Sequence, residues 1–200
     1  MAIFMLLLLG CGSFDGLNET FWWLGQLGIN PLEFPGRSAV VIPNLIGMLC
    51  ANVLLLIFFI GCLMFGLRLS GETEPTMKAF CRYAPTLLPI ALAYHFAHYL
   101  PSFLVECQYV LKYLYASFGM SDFYITTGFF SRPSAVKTIW LTQASAVVIG
   151  HVIAILLAHV LALRAHGTTQ KAIIVQIPLA VFMVCYTVFG LWLLASPRGL

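Results

Sequence analysis

Apolar positions in this chain fall into long unbroken runs, not into the alternating or one-faced patterns of strands and helices that lie half in water. Four runs, at residues 42–67, 84–105, 138–163 and 173–195, are each long enough as helices to cross a hydrocarbon core about 30 Å thick. The first is interrupted only by Asn44 and Asn52 and is closed by Arg68. A polar loop with Glu72, Glu74, Pro75, Lys78 and Arg82 follows it. The second carries Pro85, Pro89 and Pro101, so kinks are expected there. Arg164 closes the third run, and Pro197 with Arg198 ends the fourth. The predicted fold class is all-α: an integral membrane helical bundle of about four full transmembrane helices, forming one membrane domain over residues 1–200.

Two stretches break the pattern. The apolar run at residues 1–10 is too short to span, and no Lys or Arg precedes it as a signal peptide would require. A start inside a longer helix accounts for this stub and makes the chain the C-terminal part of a larger protein. Residues 11–37 are polar and interrupted by Asp15, Glu19, Pro31, Glu33, Pro35 and Arg37, around the aromatic group Phe21, Trp22 and Trp23. Tryptophans of this kind favour the headgroup level, which predicts an interfacial segment. Residues 107–137 read as an external loop, with helix continuing to about Ala116 before Gly119, Asp122, Gly128 and Pro133.

Composition sharpens the picture. Hydrophobic residues make up 61% of the 200, charged residues only 8%, and the mean hydropathy is +0.96. Too little charge is present to cover a surface in water, which excludes a soluble enzyme and makes the lipid bilayer the first partner. The net charge is +3, and ten Lys and Arg are scattered singly, so no nucleic-acid surface is predicted. Six cysteines include no CxxC pair and lie mostly in apolar runs, where they read as small hydrophobes. Arg68, Lys78, Arg82, Arg164 and Lys171 are concentrated in the short segments 68–82 and 164–171. The positive-inside rule makes those two loops cytoplasmic.

Candidate chemistry rests with histidine, because ionisable groups inside spans are costly and raise a functional hypothesis. His95 lies thirteen residues past Arg82 and His151 thirteen before Arg164, on antiparallel spans, so both are expected near mid-depth. His98, at i+3 from His95, shares its face. If the two helices are neighbours, three imidazoles converge, a donor set suited to Zn, Cu or Fe. Haem b between His95 and His151 is the alternative. His159 lies about 12 Å further along its helix than His151, too far to share one ion. Glu106 is the candidate fourth ligand, catalytic base or gate. Set against these is hydrogen bonding between helices, the reading that also fits Gln143, Gln176, Tyr186 and Thr187.

Several stretches together resemble the bacterial membrane proteins labelled fenitrothion hydrolase. They are Phe14-Asp15-Gly16 with Glu19-Thr20, Ala93 to Tyr99, Ile149-Gly150-His151 through Ala158-His159, Gln176-Ile177-Pro178, and Tyr186-Thr187 through Leu191-Trp192. The resemblance implies a bacterial inner-membrane protein that hydrolyses an organophosphate ester, with His95, His98, His151 and His159 as metal-site residues. It also implies missing N-terminal helices as partners. The reading from a different class is a non-enzymatic accessory or assembly subunit of a membrane redox complex, partnered by other membrane subunits.

Overall fold

The computed structural model describes residues 1–30, 32, 37–120 and 123–197. Pro31, Glu33 and Pro35 of the expected interfacial segment, Asp122 of the loop and Arg198 lie outside the described residues. Among the described residues the chain forms α1 (Ala2–Asn18), α2 (Phe21–Gln26), α3 (Val41–Leu69), α4 (Thr76–Tyr83), α5 (Leu88–Ser117), α6 (Pro133–His166) and α7 (Thr169–Ala195), with no strand. Four helical stretches are long and apolar enough to cross a membrane: Ser38–Leu69, Thr76–Ser117, Pro133–His166 and Thr169–Ala195. The protein is a multi-pass helical bundle.

Each span outruns its apolar core, because polar flanks such as Thr169, Gln170 and Lys171 continue the helix beyond the hydrophobic run. The prolines of the second span act as stops. Pro85 opens the 3-10 turn Ala84–Leu87 between α4 and α5, and Pro89 lies in the first turn of α5, positions where a missing N–H costs nothing. Only Pro101 lies inside α5, whose helix runs on to Ser117 and so takes up the first part of the expected loop.

Helix neighbours follow the ring α1–α3–α7–α6–α5 and back to α1. Residue pairings give the directions. Gly12 lies by His95 and Gly16 by His98, so α1 runs parallel to α5, whereas Gly10 lies by Asn52 and Gly47 by Phe14, so α1 is antiparallel to α3. On α6, Val147, Gly150, Ala154, Ala158 and Ala162 form one buried stripe of mostly small side chains that lets its neighbours approach closely. The outside of the ring is apolar and exposed, as at Leu49, Val53, Ile57 and Phe65 of α3, which is the surface a bilayer requires.

The largest departure from the sequence reading concerns residues 11–18. They were expected along the interface, but they continue α1 into the ring, where Ser13, Phe14 and Gly16 are buried. Gly10, Gly12 and Gly16 are sites of close helix contact here and do not break the helix. The aromatic group stays at the end of the bundle: Trp23 Nε1 donates to Asn44 Oδ1 at 2.7 Å, and Trp22 meets Trp192 edge to face with centroids 6.0 Å apart.

At the opposite end the two basic segments meet. Lys171 Nζ donates to Glu72 Oε1 at 3.0 Å, and Arg82 Nη1 donates to Glu74 Oε2 at 2.7 Å with its second nitrogen on Oε1. The Lys171 hydrogen bond holds the Glu72 carboxyl below its ordinary range. Burial pushes Glu74 up, but the Arg82 hydrogen bond and charge outweigh it and leave the carboxyl lowered too. Both groups therefore add stability that is complete above their ordinary value near 4.5 and is lost as pH falls through the lower folded values. The thermal midpoint of the detergent-solubilised protein is expected to fall on acidification below that point. Glu74→Gln should flatten the decline, and an equally steep decline in that variant would place its origin elsewhere.

Candidate functional site

Polar side chains inside the ring are concentrated toward its tryptophan-bearing end, on the faces of α1, α5, α6 and α7 that look inward. Ser13 of α1 and Tyr186 of α7 share a hydrogen bond of 2.6 Å between hydroxyls, and Ser13 also donates to Leu9 O at 2.7 Å. Tyr94 of α5 donates to the Tyr186 carbonyl at 2.9 Å. Gly190 makes this possible, because a Cβ there would collide with the Tyr94 hydroxyl. His151 of α6 is 2% exposed and packs against both tyrosines, with ring centroids 6.1 Å from Tyr94 and 6.4 Å from Tyr186.

The histidines fall into separate settings. His95 packs on Gly12 of α1 and beside Tyr99. His98 Nε2 lies 3.1 Å from Asp15 Oδ2 in an ion-pair contact, and Tyr99 donates to the same oxygen at 3.1 Å. His159 donates from Nδ1 to Gln176 Oε1 at 2.9 Å, while Gln176 Nε2 donates to Ile155 O. Glu106 is exposed on α5, about 12 Å along the helix from His98, and is not gathered with the histidines.

The expected convergence of His95, His98 and His151 is therefore not what the fold builds. Successive residues on a helix point about 100° apart. Gly150 seats α6 against Ala93 and Pro89, which turns Tyr94 toward His151 and leaves His95 facing α1. Among the described residues, no three of His, Cys, Asp and Glu gather into a group that could hold a metal ion. The individual donors nevertheless suit a metal. His95 and His151 each give the Nδ1 proton to the carbonyl four residues back, at 2.8 Å, which fixes Nε2 as the lone-pair nitrogen. His151 Nε2 is buried with no hydrogen-bond partner.

Beside this polar zone, between α1, α3 and α7, lies a cleft of about 600 Å³. Phe14, Phe58, Phe182 and Phe189 supply much of its wall, Ser13 and Tyr186 supply hydroxyls, and no charged residue lines it. Ser13 and Asp15 escaped the sequence reading because their segment was taken as interfacial. The signal was there in Gly12 and Gly16, a small-xxx-small pair on one helix face that marks close helix packing. No family model matches the chain, no curated protein is similar to it, and no solved structure resembles it.

Proposed function

We propose that this multi-pass membrane protein takes a neutral, apolar ester from the bilayer into the cleft between α1, α3 and α7. The observation that carries the reading is the cleft itself: about 600 Å³, uncharged, with the Ser13–Tyr186 hydroxyl pair in an otherwise largely apolar wall. Pockets of this size hold small molecules, with apolar walls for affinity and a few polar groups for orientation. The absence of charge from the lining disfavours an ionised ligand. The resemblance to proteins labelled fenitrothion hydrolase supports an aryl organophosphate ester, whose phosphoryl or thiophosphoryl group would accept from Tyr186 once that hydroxyl turns from Ser13, whose own proton goes to Leu9 O.

Fenitrothion itself is the probe. Saturable binding to the protein in lipid nanodiscs is expected, weakened about tenfold in Ser13→Ala/Tyr186→Phe, the loss for a single good hydrogen bond. Ala51→Trp, which fills the cleft from α3, should abolish it. Binding that is unsaturable, or that survives Ala51→Trp, would end this reading. Release of the nitrophenol tests hydrolysis separately.

A transition metal is a separate proposal: either His95 or His151 would offer it Nε2 as a donor, but the two face different helices and neither lines the cleft. Elemental analysis checks this step: metal is expected in the wild type and reduced in His95→Ala and His151→Ala, and metal-free wild type removes it.

A further inference from the structure

His98 presents its second ring nitrogen to the interior. Its Nε2 is engaged by Asp15, whose side chain is 43% exposed, while Nδ1 is buried and has no hydrogen-bond partner. Because a carboxylate only accepts, the Asp15 oxygen 3.1 Å away favours the proton on Nε2, and the neutral ring then offers Nδ1 as an acceptor. An unmet acceptor in an apolar interior is costly, and where a cavity adjoins it a water meets that cost.

Against this nitrogen lies a second, much smaller cavity of about 20 Å³, separate from the ligand cleft and on another side of α1. Gly12 and Gly16 of α1, Tyr94 and His98 of α5, Val147 of α6 and Gly190 of α7 bound it. The space suits one water molecule, which needs roughly 10–15 Å³ on this measure and at least two polar partners. Two are available. His98 Nδ1 is one, and Tyr94 Oη is the other, since that hydroxyl spends its proton on the Tyr186 carbonyl and keeps lone pairs free to accept. There is no room for a substrate beside such a water, so the Asp15–His98 pair holds it and does not consume it.

We infer that the cavity is a binding site for a single water that donates to His98 Nδ1 and Tyr94 Oη. With it, one polar path runs from exposed Asp15 of α1 through His98 and the water to Tyr94 and the backbone of α7. The water itself bridges two side chains of α5, and Gly12, Gly16 and Gly190 of the neighbouring helices bound the space that holds it.

Gly16 supplies the test. An added Cβ at this position meets Leu193 at 3.6 Å and His98 Nδ1 at 3.9 Å, ordinary contact distances, so Gly16→Ala is accommodated without moving a helix. Its methyl group occupies the space of the water. The measurement is water-edited solid-state NMR of histidine- and tyrosine-labelled protein in lipid bilayers. In the wild type, magnetisation is expected to pass from water to the His98 ring faster than to His151, which does not line this cavity. In Gly16→Ala the His98 transfer should fall about fivefold or more toward the His151 rate. Tyr94→Phe, which removes the second partner but keeps the ring in place, should give an intermediate loss. Equal transfer to His98 and His151 in the wild type, or transfer unaffected by both substitutions, overturns the inference.

Discussion

Gly66→Ala will destabilise the bundle by about 3 kcal/mol, the upper part of the range for overpacking a close contact. Gly66 lies where α3 crosses α7, and a Cβ there falls on the carbonyl group of Val175, with the carbonyl carbon at 3.0 Å and the oxygen nearer still. A backbone carbonyl cannot rotate away as a flexible side chain would, so the two helices must separate. Separation strips contacts from Leu63, Leu67, Val175 and Leu179, all of them buried. The control is Gly61→Ala on the same helix, where an added Cβ meets nothing within 4 Å. That change should be neutral or stabilising by up to about 1 kcal/mol, because alanine is the better helix former. Thermal or denaturant unfolding in detergent compares the two. Equal midpoints would mean that α3 and α7 do not touch at Gly66.

The second large effect is expected at Gly190. Gly190→Ala drives its methyl group into the Tyr94 hydroxyl, so the ring must withdraw and the 2.9 Å bond to the Tyr186 carbonyl breaks. Loss of packing and of a buried hydrogen bond together should cost about 2–3 kcal/mol. Adding Tyr94→Phe removes the nearest clashing atom but leaves ring Cζ 2.5 Å from the new methyl, so the double variant should recover only part of the loss. A double-mutant cycle reads this as a coupling energy, and strict additivity of the two changes would count against the contact.

The sequence told most where the physics is one-dimensional. A run of twenty or more apolar residues has few uses besides crossing a bilayer, and the four spans appear where expected, the second extended by eight residues at its start and twelve at its end. Residues 11–18 read as interfacial through Asp15 and the polar stretch beyond it, whereas Gly12 and Gly16 let this part of α1 pack closely inside the ring. Depth could also be counted along a helix, which placed His95 and His151 at comparable levels. Rotation about the axis could not, since it depends on which residues seat the neighbouring helix. The one-residue step from His95 to Tyr94 decides which side chain reaches His151. Partners such as Ser13 and Tyr186, 173 positions apart, are outside the reach of any local pattern.

Contacts between the first and last described helices carry an implication for assembly. Ser13 bonds to Tyr186, Trp22 packs on Trp192, and the Phe21 N–H donates to Pro197 O at 3.0 Å. A ribosome makes α1 before α7, so α1 waits through the synthesis of the helices between them without these partners. The ring can be locked only as α7 enters the membrane. Until then Ser13 and the edge of α1 stay open to lipid, to a chaperone or to the wrong neighbour. Truncation within α7 would therefore act far away along the chain, leaving α1 unsecured.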